Sequence, residues 1–156
     1  MKLLLESVDL TASEDIVALY GWRNGIDLNY DGALIGDITM IPGYYFPSLQ
    51  DTIVNYKVFV GDQRWRDGWL PVFADGGGDF YVVNLAPDAH GEIIYFVIDQ
   101  SERPVIFESL GDMLRAYAQA YDVGLLEIDD EEGLRPDDDA FAAIARRINP
   151  NIEWWQ

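Results

Sequence analysis

Any chemistry in this chain must come from carboxylates and aromatic rings. The 156 residues hold 28 Asp and Glu, 9 Tyr, 7 Phe and 5 Trp, but a single histidine and no cysteine. The missing cysteine excludes disulfides and thiolate metal sites. A Ser-His-Asp arrangement would have to use His90, which stands in the turn-forming cluster Ala86-Pro87-Asp88-Ala89-His90-Gly91. Polar residues commonly occupy such turns for local backbone reasons, so His90 reads as an exposed turn residue and no catalytic residue is assigned.

Gly76-Gly77-Gly78 invites comparison with a phosphate cradle. A Walker loop continues into Lys and Ser or Thr, whereas here the glycines are flanked by Asp75 and Asp79, whose charges would repel a phosphate. The run reads instead as a tight turn using positive φ. Asp75, Asp79, Asp88 and His90, or the acids of 129–139, could gather around a divalent cation. Neither set follows the calcium-loop spacing, so neither metal nor cofactor is expected. Carboxylate pairs beside Trp and Tyr also suit glycoside hydrolysis or sugar binding. With this many acids and aromatics, chance pairs are inevitable and single out no acid–base couple.

The formal charge of −18 narrows the partners. Nucleic acid is bound by neutralising phosphates with Lys and Arg, and an anionic membrane attracts the same side chains; an acidic chain suits neither. It suits a basic protein, whose approach the long-range field would steer. Acidity can also serve solubility alone. Hydrophobic content of 49% with 24% charged residues describes a soluble globular domain. No apolar run approaches the roughly 20 residues of a membrane span. The start, Met1-Lys2-Leu3-Leu4-Leu5-Glu6, meets an acid too early for a signal-peptide core, so a cytoplasmic protein is expected.

The elements that must position these residues centre on Trp69–Asp99. Three apolar runs, Trp69–Ala74, Phe80–Leu85 and Ile93–Ile98, are separated by Gly, Pro and Asp clusters, the pattern of a three-stranded antiparallel meander. The runs are nearly continuous rather than alternating, which predicts burial on both faces. Val105–Phe107 can add a fourth strand. Helices are predicted over 11–22, with Thr11 and Glu14 as a capping box, and over 49–58, capped by Ser48 with Leu49, Ile53, Tyr56 and Val60 on its apolar stripe. Ser109 caps a further helix whose apolar face is Leu110, Met113, Leu114, Tyr117, Ala118 and Tyr121, and Gly124 ends it. The first ten residues are ambiguous, and 33–40 is a candidate short strand. Asp129–Asp139 carries seven acids and reads as a solvated loop before a last helix with Phe141, Ile144, Ala145 and Ile148 on one face. The fold class is therefore α+β: a single domain over 1–156, with an antiparallel sheet flanked by helices.

Most aromatics in the strands should be packing. Tyr44, Tyr45, Trp65, Trp69, Trp154 and Trp155 are less bound to the core pattern. An exposed subset beside acids would resemble an interaction surface. The candidate partner-binding set is Tyr44, Tyr45, Trp65, Trp69, Asp75, Asp79 and Asp88.

Four stretches in this order resemble the Smi1/Knr4 family of the SUKH superfamily: Leu19-Tyr20-Gly21-Trp22-Arg23-Asn24-Gly25 closing a helix; Trp69-Leu70-Pro71-Val72-Phe73-Ala74 running into the Asp/Gly turn; Gly91-Glu92-Ile93-Ile94-Tyr95; and Phe107-Glu108-Ser109-Leu110 through Tyr121. The resemblance covers about residues 10–123. The family usually has a fuller helix before 11–22 than ten residues allow, and nothing carries over beyond Asp129. The resemblance implies an α+β sheet flanked by helices and a non-enzymatic protein-binding domain. Many bacterial members look like immunity proteins against polymorphic or contact-dependent toxins, often nucleases; fungal relatives act as regulators linked to cell-wall synthesis. The expected partner is a basic toxin domain, with regulation or carbohydrate binding as alternatives.

Overall fold

Residues 69–107 form a four-stranded antiparallel sheet: β1 (Trp69–Ala74), β2 (Phe80–Asn84), β3 (Ile93–Phe96) and β4 (Val105–Phe107), side by side in sequence order. The computed structural model describes residues 2–27, 39–89, 91–129 and 133–156. The predicted fourth strand is present. The second and third strands stop at Asn84 and Phe96, where the chain turns away before Leu85 and Ile98.

The turn between β1 and β2 shows why three glycines follow one another. Gly76 and Gly78 have φ of 88° and 114°, in the region that favours glycine. A Cβ on Gly78 would also lie 2.8 Å from Ile98 Cδ1. The turn is thus both left-handed and closed over by the neighbouring strand's exit.

Both sheet faces are covered, as the unbroken apolar runs predict. On one face Val83, Ile93 and Phe107 join the main core, together with Leu5 of α1 (Lys2–Glu6), Ile16 and Leu19 of α2 (Glu14–Trp22), and Ile53 and Tyr56 of α3 (Leu49–Phe59). Met113, Ala116 and Ala120 of α4 (Leu110–Asp122) complete that core. On the other face Trp69, Phe80, Val82, Ile94 and Phe96 pack with Trp65 and with Phe59 at the end of α3. The ambiguous first ten residues resolve into α1.

Helix starts follow local hydrogen bonding. The α3 and α4 caps are Ser48 and Ser109, whose side chains accept from the N–H groups of Asp51 and Asp112. At α2 the cap is Ser13, accepting from Ile16 N–H, so the helix begins at Glu14 and the Thr11–Glu14 capping box does not form. The stripe of α3 differs by one residue. Thr52 is buried through its hydrogen bond with Tyr20 (2.7 Å), while Val60, past the helix end, is 41% exposed. On α4 the buried face is Leu110, Met113, Ala116, Tyr117 and Ala120; Ala118 and Tyr121 are exposed and Leu114 is half-buried. Small alanines fit where the helix meets its neighbours closely, which rotates the buried face away from the larger Tyr121.

The acidic segment is the largest correction. Leu126–Asp129 (β5) and Gly133–Pro136 (β6) form an antiparallel two-stranded ribbon instead of a plain loop. Leu126 and Leu134 are buried in the main core and anchor it. Asp137 then caps α5 (Asp138–Ile148) by accepting from Ala140 N–H. Phe141, Ile144 and Ala145 are buried as predicted, with Ile148 partly buried against the core. A short 3₁₀ turn, Glu153–Trp155, follows, and the Trp155 indole N–H donates to the Ile106 carbonyl. The candidate strand over 33–40 lies mostly outside the described residues; Thr39 and Met40 are not in a strand.

Candidate partner-binding site

The seven residues expected at a partner surface are scattered. Trp65, Trp69 and Tyr44 are 7%, 3% and 8% exposed and are packing residues. Trp65 contacts Phe96 and Trp69 with ring centroids 5.0 and 5.8 Å apart, filling the second sheet face. Trp65 and Trp69 are thus core and not surface residues, and Tyr44 packs into the fold while lining a pocket described below. The reason is the two-sided burial itself: Trp69 lies within β1, and Trp65 and Tyr44 come from outside the strands to cover the sheet.

Asp75 and Asp79 are likewise occupied by the fold. One Asp75 carboxylate oxygen accepts from the N–H groups of Gly77, Gly78 and Asp79 at 2.8, 3.0 and 2.9 Å. Asp79 accepts from Ile98 N–H at 2.8 Å, tying the turn to the end of β3. The pair that framed the glycines thus replaces water for four backbone donors. Tyr45 is half-buried near this turn, its hydroxyl pKa pushed up chiefly by burial and then by the charges of Asp51 and Asp75. Asp88 is exposed in the turn following β2, at the opposite end of that strand from Asp75. His90 lies outside the described residues.

What the fold does assemble is a pocket of about 530 Å³ walled by tyrosines on one side and by the last two elements on the other. Its floor follows from strand register. Tyr81 and Tyr95 are direct partners in β2 and β3, so they project on the same face, opposite Phe80 and Phe96. Their rings stack at 5.4 Å with a 24° angle between planes. Tyr44 lies against Tyr81 at 4.5 Å and donates its hydroxyl hydrogen to Tyr95 (3.1 Å). Tyr117 of α4 brings its hydroxyl within 3.5 Å of Tyr81's. Burial pushes the Tyr81 hydroxyl up to about 12, and raises Tyr44 and Tyr117 further, so these three stay neutral at ordinary pH.

The other wall belongs to α5 and the 3₁₀ turn: Asp138, Asp139 and Phe141, then Trp154 and Trp155. Trp154 is 48% exposed and meets Tyr95 and Trp155 in near-perpendicular pairings, with centroids 6.2 and 6.4 Å away. The turn is held by the Trp155 indole and by Arg146, whose Nε donates to the Trp155 carbonyl. A half-open tryptophan thus stands on a fixed base beside two exposed carboxylates.

This pocket is absent from the sequence-derived site, apart from Tyr44. A usable signal existed: Tyr81 and Tyr95 occupy the second and third positions of paired strands whose other aromatics are all phenylalanine. That asymmetry marks the face where a hydroxyl needs polar company. The contribution of Asp138 and Trp154 has no such signal, because it depends on how α5 returns to the sheet.

A family model for the SMI1/KNR4 family (SUKH-1) matches residues 6–116. The chain belongs to the SMI1/KNR4 family. No curated protein matches the chain. The SMI1/KNR4 match takes in α2, α3, the whole sheet and the first half of α4, in agreement with the four motif stretches. It divides the pocket. Tyr44, Tyr81 and Tyr95 lie within the matched region, whereas Tyr117, Asp138, Asp139, Phe141 and Trp154 lie beyond it. Among the described residues, no group of three or more His, Cys, Asp or Glu is placed to hold a metal ion. No helix is long and apolar enough to cross a membrane, again among the described residues.

Proposed function

We propose that this SMI1/KNR4 domain is a non-enzymatic binding protein of the immunity kind, which neutralises a bacterial polymorphic or contact-dependent toxin by covering its basic surface. The observation that carries the reading is the combination of family membership with a charge of −18. Members of the family are generally non-catalytic, and Tyr44, Tyr81 and Tyr117 of the pocket have hydroxyl pKa values raised by burial, which suits contact better than proton transfer at neutral pH. Toxins that attack nucleic acid carry basic surfaces for phosphate, and an acidic protein can occupy such a surface in the substrate's place.

The reading makes a kinetic demand. Association with the toxin should slow steeply as salt rises from about 0.05 to about 0.5 M, because screening shortens the field from beyond 10 Å to about 4 Å. Sequencing the flanking genes supplies the candidate: a large secreted-toxin gene next to this one would encode the toxin, and its absence would favour a regulatory role. Stopped-flow mixing with that toxin domain, with residual toxin activity read in parallel, is the experiment. An unaltered association rate across that range would remove the electrostatic mechanism, and full toxin activity in the presence of excess protein would remove the immunity reading.

A further inference from the structure

The tyrosine pocket has a composition that selects for charge. Its floor is the stacked Tyr81–Tyr95 pair with Tyr44 against it, and its rim carries Trp154, Asp138 and Asp139. Aromatic faces are the negative ends of ring quadrupoles, and they attract a cation within about 6 Å of the centroid. Trp is the best such platform, and Trp154 is the ring left nearly half open. The tyrosine hydroxyls pair among themselves, Tyr44 donating to Tyr95 and Tyr81 lying within 3.5 Å of Tyr117. The rim carboxylates supply the formal charge. Asp138 and Asp139 are in the first turn of α5, where the helix dipole favours acids. Their position over an aromatic floor is a separate arrangement, and it creates negative potential at an apolar surface.

A guanidinium fits this combination better than an ammonium. It is planar and weakly hydrated, stacks on aromatic rings and presents a fork of donors to a carboxylate. A lysine ammonium is a compact, strongly hydrated charge that would lose more on entering an apolar pocket. We propose that this pocket is a docking site for an arginine side chain of the protein partner, stacked against Trp154 and paired with the Asp138–Asp139 rim. The proposal rests on the reading of a basic protein partner and gives that contact a location. The site is divided between the family-matched sheet and the segment beyond it, so α5 and the 3₁₀ turn would set which partner an otherwise common sheet accepts.

The test does not require the partner. N-acetyl-arginine methylamide is titrated into the intact protein while indole and tyrosine ring resonances are followed by NMR, with the lysine analogue and cellobiose as parallel arms. Saturable shifts at Trp154 and Tyr95 with the arginine probe are expected, with binding by the lysine probe weaker. Trp154→Ala, and separately the double change Asp138→Asn with Asp139→Asn, should each weaken binding by about tenfold, the scale of one partly desolvated cation–π contact. Trp154 is about half exposed and both aspartates are exposed, so melting temperature should move little and a folding defect can be told apart. Absence of saturation, equal or tighter binding of lysine, a cellobiose response that survives the Asn changes, or an unchanged affinity in both variants would each overturn the assignment. A pocket that takes arginine in a protein that protects against no toxin would retain the site and discard the immunity role; protection unaffected by Trp154→Ala would do the reverse.

Discussion

Phe80 is 4% exposed and touches Phe59, Trp65 and Phe96, with ring centroids between 5.1 and 6.2 Å. Phe80→Ala removes the centre of that cluster and should cost about 3–5 kcal/mol, read from chemical denaturation. An unchanged midpoint would mean that the second sheet face is not a packed core. Tyr81 lies on the other face and makes a different prediction. Its hydroxyl pKa rises from the ordinary 10 to about 12 because burial disfavours the phenolate. The folded state therefore holds this proton more tightly than the unfolded chain does. The associated stability is complete below pH 10 and is lost as pH climbs from 10 through 12. Melting temperatures across that window should fall, and Tyr81→Phe should flatten the fall. Tyr44, Tyr117 and Tyr20 are raised in the same direction by burial, so the flattening will be partial.

At the scale of elements, the β1–β2 turn depends on one side chain. Asp75→Ala leaves three N–H groups, two of them part-buried, without their acceptor and should destabilise by about 1–3 kcal/mol, whereas Asp88→Ala, exposed after β2, should change the melting temperature little. Equal effects from the two would show that water replaces the carboxylate at the turn. Asp75 also shows which parts of the structure were legible beforehand. Strand runs, the Ser48 and Ser109 caps and the terminating Gly124 express local backbone preferences, and local residues encode them. The roles of Trp65, Trp69 and Tyr44 do not follow from local preference, because whether a ring is covered depends on elements distant in the chain. Asp75 and Asp79 were read as outward-facing charge, yet they complete a turn whose backbone needs acceptors. The β5–β6 ribbon was hidden for a related reason: its acids suggest a solvated loop, while Leu126 and Leu134 hold it to the core. The tyrosine pocket was the least legible part, since Tyr44, Tyr95 and Trp154 meet only when three separated segments converge.

Across the whole molecule, 28 acids face only 10 Lys and Arg, and the ion pairs among the described residues are Arg64–Asp62 and Arg115–Asp112. Such an imbalance makes the compact state repel itself. Raising sodium chloride from about 0.05 to about 0.5 M should therefore increase the melting temperature, the opposite of what a fold held by surface salt bridges would show. A fall would mean that local pairs outweigh the net charge. The same salt that stabilises the free protein should slow its capture of a basic partner, so tighter folding and faster binding are set against each other. The fixing of Trp155 to Ile106 carries one more consequence. β4 pairs with β3 on one side, and on its outer side the indole N–H takes up a carbonyl that an added strand would need. On the far edge, Tyr45 and Ala74 exchange two hydrogen bonds, and Pro71 has no N–H to offer. With both margins of the sheet obstructed, a partner has little opportunity to extend it by backbone pairing, and neither does a second copy in a crowded cell. Recognition is thereby left to side chains, where substitutions can alter the choice of partner without disturbing the sheet.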